Sequence, residues 1–232
     1  MSIIKTAAQW IFILCVPVLL LSASLGIAAN CPWLYKYGFD KYEVGRTTGL
    51  NDTELEKVAD GIIGYFNSGE RDIYIVVEKD GAPFVLFNER EVSHMRDVKG
   101  LFRLDYYLLL GTLIYALAYI GVNVWLWRDR RRLGQALFGG GVLTLGLMAA
   151  VGLGALLDFE SLFLQFHLIS FDNYLWILDP SRDYLIRLFP QGFYYDATLF
   201  CAAGTGAGAL ILGGVGWRRM RKAGRTSLPA ED

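Results

Sequence analysis

The chain of 232 residues has only two histidines, His94 and His167, and only three cysteines, Cys15, Cys31 and Cys201. Two of the cysteines sit inside apolar runs and the third just outside one, so they indicate no disulfide framework. No HExxH or paired-cysteine spacing supplies a zinc ligand set, and no GxSxG places a serine nucleophile on a strained turn. Neither a GK[ST] phosphate loop nor a dinucleotide-binding glycine pattern occurs. Charge is also missing where it matters most. Four long stretches have no charged side chain in their interior: about Trp10 to Ala29, Tyr106 to Trp125, Leu137 to Leu157 and Leu199 to Trp217.

What is present in quantity is apolar surface. Hydrophobic residues make up 54% of the chain and the mean hydropathy is +0.35, too apolar for an ordinary soluble domain. Each of the four stretches is long enough to cross about 30 Å of hydrocarbon as a helix. The first also has the outline of a cleaved signal peptide, with Lys5 before it and the small residues of GIAAN at its end. Its length, Pro17 and the poor cleavage residue Asn30 favour retention as a span. The basic runs RDRRR at 128–132 and WRRMRKAGR at 217–225 read as cytoplasmic, and with Lys5 they place both termini inside. Anionic lipid accounts for these runs without nucleic acid. Residues 30–104 and 158–198 then lie outside, and both histidines fall on that extracytoplasmic side.

The expected fold is therefore a membrane protein: a four-transmembrane-helix bundle with a small α+β extracytoplasmic domain. Its divisions are an N-terminal region with the first span (1–30), the outer α+β domain (31–104) and the second and third spans with their basic loop (105–157). An aromatic outer loop (158–198) and the fourth span with its basic tail (199–232) complete it. Within the outer domain, Leu55, Val58, Ala59, Ile62, Ile63 and Phe66 recur at helical spacing after Asn51 or Asp52 as cap. Two apolar runs around Asp80-Gly81 predict a hairpin, with Pro83 pushing the second strand to an edge or a late start. SHMRDVKGLFRLDYY predicts a short membrane-proximal helix on which Lys99 and Arg103 act as interfacial anchors. The glycines of the last two spans, Gly204 and Gly208 most clearly, predict close helix packing rather than dimerisation.

The second outer loop, SLFLQFHLISFDNYLWILDPSRDYLIRLFPQGFYYD, is nearly as apolar as a span and yet interrupted. Trp176, Tyr184, Phe193, Tyr194 and Tyr195 suit a place at the headgroup level. That does not explain His167 beside Gln165, or Asp172-Asn173 between apolar runs, since polar groups at that depth need partners. Asp179-Pro180-Ser181 reads as a turn, with Asp183 and Arg187 at helical spacing after it. A single histidine at such a boundary is more often a hydrogen-bonded structural residue than a catalyst. Two of them on one side, each beside an acid or amide, could instead exchange protons near neutral pH.

Two segments carry a specific resemblance: EVSHMRDVKGLFR at 91–103 and FHLISFDNYLWILDPSRDYLIRLFPQGFY at 166–194. With the four-span layout they resemble the bacterial lipoprotein intramolecular transacylases, the Lit family. The resemblance implies transfer of the sn-2 acyl chain of a diacylglyceryl lipoprotein to the α-amino group of its lipidated cysteine, giving the lyso form. It implies His94 and His167 as the catalytic pair. Asp97 could orient His94, while Asn173 or Arg182 could meet the oxyanion, three assignments made from position alone. Donor and acceptor are one molecule, so no acyl-enzyme, cofactor or metal is required. The implied partners are a diacylated bacterial lipoprotein and membrane phospholipid, and no nucleic acid. The implied location is the bacterial cytoplasmic membrane, multi-pass, with the site on the extracytoplasmic face; the oligomeric state stays open, a monomer included. The competing reading is a membrane protein that binds or handles lipoproteins or lipids without catalysis.

Overall fold

The structure, a computed structural model, describes residues 2–225. The final seven residues of the expected basic tail, 226–232, lie outside the described residues. The chain is mostly helical. In order it forms α1 (Ser2–Ala29), α2 (Pro32–Lys41), α3 (Val44–Thr48) and α4 (Asp52–Asn67), then the strands β1 (Val76–Lys79) and β2 (Ala82–Val85). There follow α5 (Glu89–Gly121), which runs into a π-helical turn at Val122–Leu126, then α6 (Arg130–Leu157), α7 (Phe159–Ser170), α8 (Tyr184–Leu188) and α9 (Gln191–Arg225). Among the described residues, four helical stretches are long and apolar enough to cross a membrane: Ile3–Ala29, Glu89–Leu126, Arg130–Leu157 and Gln191–Lys222.

The chain divides into two compact units. The first comprises, among the described residues, 2–25, Asp105–Gly154 and 201–225. Its core gathers Phe12, Ile13 and Val16 of α1 with Ala116 and Tyr119 of α5 and Leu133, Ala136 and Leu137 of α6. Small residues let its backbones meet. A methyl group on Gly141 would stand 2.6 Å from the Ala209 carbonyl oxygen, and one on Gly216 would stand 2.6 Å from that of Gly134. One on Gly208 would stand 2.7 Å from Leu20 Cδ2, so this position of the expected small-residue pair is a packing contact, as the sequence suggests. Ser24, Cys201 and Thr205 line a polar seam in which Thr205 Oγ1 donates to Ser24 Oγ at 3.0 Å.

The second unit comprises Gly26–Leu104 and Ala155–Phe200. Helix α4 forms where the 3.6-residue period predicts it, capped by Asn51, whose side chain accepts from Glu54 N at 3.0 Å. Its apolar face, including Leu55, Val58 and Ile62, is buried. The hairpin pairs Val76 with Val85 and Lys79 with Ala82 in antiparallel register. Asp80 and Gly81 both take positive φ, 53° and 75°, which is the two-residue turn that Asp-Gly favours. Strand β2 begins at Ala82, is exposed throughout and carries Pro83 at an open edge. Helix α2 packs against the start of α9, where Tyr42 donates to Asp196 Oδ2 at 2.9 Å and Lys41 pairs with the same carboxylate at 2.7 Å.

Two expectations need correction. The short membrane-proximal helix is not a separate element, because nothing between Glu89 and Gly121 breaks the helix and α5 runs for 33 residues. Lys99 is not an interfacial anchor. It is 2% exposed, donates to Ser68 Oγ and the Glu70 carbonyl at 3.1 and 2.7 Å, and lies 4.0 Å over the Tyr65 ring. A turn of the preceding loop supplies those acceptors, and spacing along a helix cannot reveal them. Tyr184 and Phe193 are likewise buried in this unit, at 8% and 7% exposure.

Candidate functional site

Helix α5 begins with a capping box, Asn-Glu-Arg-Glu at 88–91. Asn88 Oδ1 accepts from the backbone N–H groups of Arg90 and Glu91 at 3.0 and 3.1 Å. Glu91 Oε2 returns the bond by accepting from Asn88 N at 2.9 Å. His94 follows three residues later and is buried. Helix α7 is capped by Asp158, which accepts from Ser161 N at 3.0 Å, and carries His167 one turn before its end. The sequence predicts a loop here, because the apolar residues run together without a clear period, and the structure makes it a helix.

The two imidazoles face one another with ring centroids 6.4 Å apart and an interplanar angle of 28°. Phe171 closes one side, 5.1 Å from His94 and 5.6 Å from His167. Phe163, Phe166 and Trp176 surround His167, at 4.4, 5.4 and 4.8 Å. The rings differ in their hydrogen bonding. His167 Nδ1 lies 2.8 Å from the Phe163 carbonyl oxygen, a partner that can only accept. The Nδ1 proton is thereby fixed, and Nε2 of the neutral ring is left with its lone pair. His94 Nδ1 is buried and has no hydrogen-bond partner among the described residues. Burial first, then the neighbouring His167, push the pKa of His94 down to about 4, with Asp97 opposing and Arg90 adding to the fall. His94 sits before the apolar stretch of α5 and is held neutral throughout the physiological range.

Asp97 lies on the same side of α5 as His94, as its spacing suggests, but its carboxylate accepts from Asn173 Nδ2 at 2.9 Å. No hydrogen bond joins it to His94 among the described residues. Asn173 is engaged at its other end too, where Oδ1 accepts from Leu175 N at 3.0 Å. Its backbone carbonyl accepts from Trp176 Nε1 at 2.9 Å, which sets the indole beside His167. Asp97 and Asn173 are thus joined to each other and shape the loop around the site. Arg182 is elsewhere. Its side chain is 63% exposed, 3.6 Å from Asp183 Oδ1, and no contact joins it to either imidazole among the described residues.

Among the described residues, the guanidinium that acts on His94 is that of Arg90, one turn ahead of it. Its Nη2 and Nε donate to the carbonyls of Tyr174 and Leu175 at 2.6 and 3.3 Å. The sequence reading did not single out Arg90, Asn88, Glu91 or Phe171, although Asn-x-x-Glu ahead of a helical run is a readable start signal. Among the described residues no three His, Cys, Asp or Glu side chains come together to hold a metal ion.

The family model described as "lipoprotein intramolecular transacylase Lit" matches residues 10–194. The chain belongs to the Lit family. An uncharacterised protein of Aquifex aeolicus (strain VF5) is 35% identical over 117 residues, and this match spans half of the chain and half the length of that relative. The in meso structure of the membrane-integral Lit transacylase from Bacillus cereus superposes with a TM-score of 0.82 at 20% identity, covering 98% of this chain and all of that one. A histidine-to-arginine variant of the same Bacillus cereus protein gives 0.78 at 17% identity, covering 97% and 96%. At these identities the structures establish a shared Lit fold, and that fold is membrane-integral in the relative.

Proposed function

We propose that this chain is a transacylase that moves an acyl chain within one lipoprotein molecule, from the sn-2 ester of the diacylglyceryl group to the α-amino group of the same cysteine. Family membership supports the reaction class. The observation that carries the assignment of chemistry is the pair of imidazoles at 6.4 Å, one with a fixed tautomer and one held neutral. At that separation one nitrogen of each ring can reach opposite substituents of a single tetrahedral carbon.

The α-amino group, with a reference pKa of about 8, attacks as the free amine. Its nitrogen bonds to the ester carbonyl carbon, and His167 Nε2 accepts the proton that the nitrogen then sheds. His94, neutral, donates to the developing oxyanion. Collapse of the tetrahedral adduct breaks the bond from carbon to the sn-2 oxygen, and the proton held on His167 goes to that oxygen. Ester and amine become amide and alcohol, with no net proton gained or lost from the free amine. Because both ends belong to one substrate, proximity supplies a large part of the barrier reduction. Phe163, Phe166, Phe171 and Trp176 offer the acyl chains an apolar wall.

In this reading the reaction needs no metal or acyl cofactor, and a single chain holds the complete site. The site faces the extracytoplasmic leaflet, where lipoproteins and phospholipid headgroups meet, and both termini are cytoplasmic. Residues 31–104 and 158–198 form the outer part and the remaining segments the four spans. Coexpression with a diacylated model lipoprotein tests the reaction. The N-terminal peptide should gain an N-acyl group while its total lipid mass stays constant. A gain in mass would require an outside acyl donor, and an unmodified amine would leave a binding protein.

A further inference from the structure

Glu91 is the most deeply buried acid near the histidines, at 0% exposure, and the chemistry above does not use it. Burial raises its pKa, and the backbone N–H groups that it accepts from oppose the rise. Within α5 it completes the capping box with Asn88. Its second oxygen, Oε1, accepts from Leu185 N at 2.6 Å, at the start of α8. The Asn88 side chain extends the same tie, since its Nδ2 donates to Asp183 Oδ1 at 2.8 Å. Asp183, 1% exposed, in turn accepts from Asp179 N at 2.7 Å and closes the Asp179-Pro180-Ser181 turn. One carboxylate therefore joins the first turn of the helix bearing His94 to the far end of the loop that leaves the helix bearing His167. The near end of that loop is held to α5 by Asn173 on Asp97 and by Arg90 on the carbonyls at 174 and 175.

An ordinary capping role needs only one oxygen of Glu91 and no partner outside α5. Full burial, a second bond across 94 residues of sequence and the linked Asn88–Asp183 pair go beyond it. We propose that Glu91 is a positioning residue that fixes the loop after α7 onto the start of α5 and so sets the approach of His167 to His94. The proposal rests on the transacylase reading for its consequence in turnover, but its structural content can be measured without substrate.

The chain has two histidines, so [15N]histidine-labelled, detergent-solubilised full-length protein reports on the two imidazoles alone, provided that no histidine tag remains. The groups that face His94 in such a titration are His167, Asp97 and Arg90. Glu91→Gln keeps the size of the side chain but turns an NH2 towards one of the two N–H donors, so one tie must break. Asp183→Asn is the second variant, since it weakens the outer end of the network without touching the capping box. Val58→Ala, in the buried face of α4, is the control for lost stability alone.

We expect both network variants to move the imidazole resonances and to bring the titration of His94 towards its ordinary range. We expect kcat to fall by about a hundredfold for Glu91→Gln, the size of effect that a displacement of about 1 Å produces, with KM changed less than about threefold. The control should lose thermal stability and keep its imidazole spectrum and kcat. Unchanged imidazole resonances in a folded Glu91→Gln protein overturn the proposal, as does a loss of kcat no larger than that of Val58→Ala. Wild type that gives the two-histidine spectrum but relocates no acyl chain counts against the transacylase reading only, and the spectra of the variants then decide the positioning role.

Discussion

His94 and His167 stand face to face at 6.4 Å, yet among the described residues His167 has a protein partner at Nδ1 while His94 Nδ1 has none. In the proposed mechanism that difference would give two rings of the same chemistry separate work, one accepting a proton at a defined nitrogen and one donating to charge that develops on the substrate.

Replacing either ring by alanine should abolish acyl relocation almost completely, by a hundredfold or more, with normal accumulation in the membrane. Mass spectrometry of the lipoprotein N-terminus and immunodetection of the enzyme read the two quantities together. A folded His94→Ala or His167→Ala protein with full activity would remove that histidine from the chemistry.

The pH dependence follows from the lowered pKa of His94. A base whose folded-state pKa falls to about 4 stays deprotonated as pH drops through its ordinary value of about 6.5. His94 then contributes no activity loss above about pH 5, and protonation of the substrate amine, near pH 8, dominates the acidic limb. Lowering the amine pKa by fluorination close to it should move that limb to lower pH. A limb that stays in place would assign it to the enzyme.

The same shift has a consequence for stability, with a definite sign. Between about pH 6.5 and 4 the unfolded chain binds a proton at residue 94 that the folded protein does not, so the His94 contribution is complete above pH 6.5 and is lost as pH falls through that window. Thermal denaturation at pH 7 and pH 5 should therefore show a smaller acid loss in His94→Ala than in wild type. An equal loss in both would contradict the burial described for this ring.

Asp97→Asn should reduce turnover by less than about tenfold, because the amide oxygen can still accept from Asn173 Nδ2 and keep the loop in place. Lys99→Met separates stability from chemistry in the same helix. It strands the Glu70 carbonyl and costs about 1–3 kcal/mol, read as a lower Tm, while turnover per folded molecule is unchanged. A large kcat loss with unaltered Tm would place Lys99 in the reaction.

Topology is tested by reporter fusions. Insertions after Lys5, within residues 128–132 and after Arg219 should report the cytoplasm, and those near Asp80 and Ser181 the outside. A cytoplasmic signal at Ser181 would contradict the common face of the two histidines.

The parts of the molecule written in local pattern were legible from sequence: the apolar helices, the capped period of α4, the Asp-Gly hairpin and the Asp179 turn, where Ser181 N donates to Asp179 Oδ1. Those that depend on distant partners were not. Lys99 has the spacing of an anchor, but its acceptors come from residues 68 and 70. Arg182 and Arg90 are both plausible guanidinium donors in one dimension, and only the folded loop shows that Arg182 faces outward while Arg90 holds the carbonyls beside Asn173. The capping box at Asn88 and Glu91 was readable, but nothing in the local pattern says that Glu91 Oε1 would reach Leu185.

The close passage of α6 and α9 bears on how the chain is made. Gly134 and Gly141 of α6 meet Gly216 and the Ala209 carbonyl of α9 at distances no other side chain would allow. Helix α9 follows α6 in the chain, and before α9 is in place Gly134 and Gly141 lack the backbone they pack against, while small residues facing lipid gain little dispersion energy. The glycine contact between α6 and α9 is therefore expected to form only once α9 is in place. A chain cut short before residue 201 would leave Gly134 and Gly141 of α6 without the surface that their lack of a side chain fits.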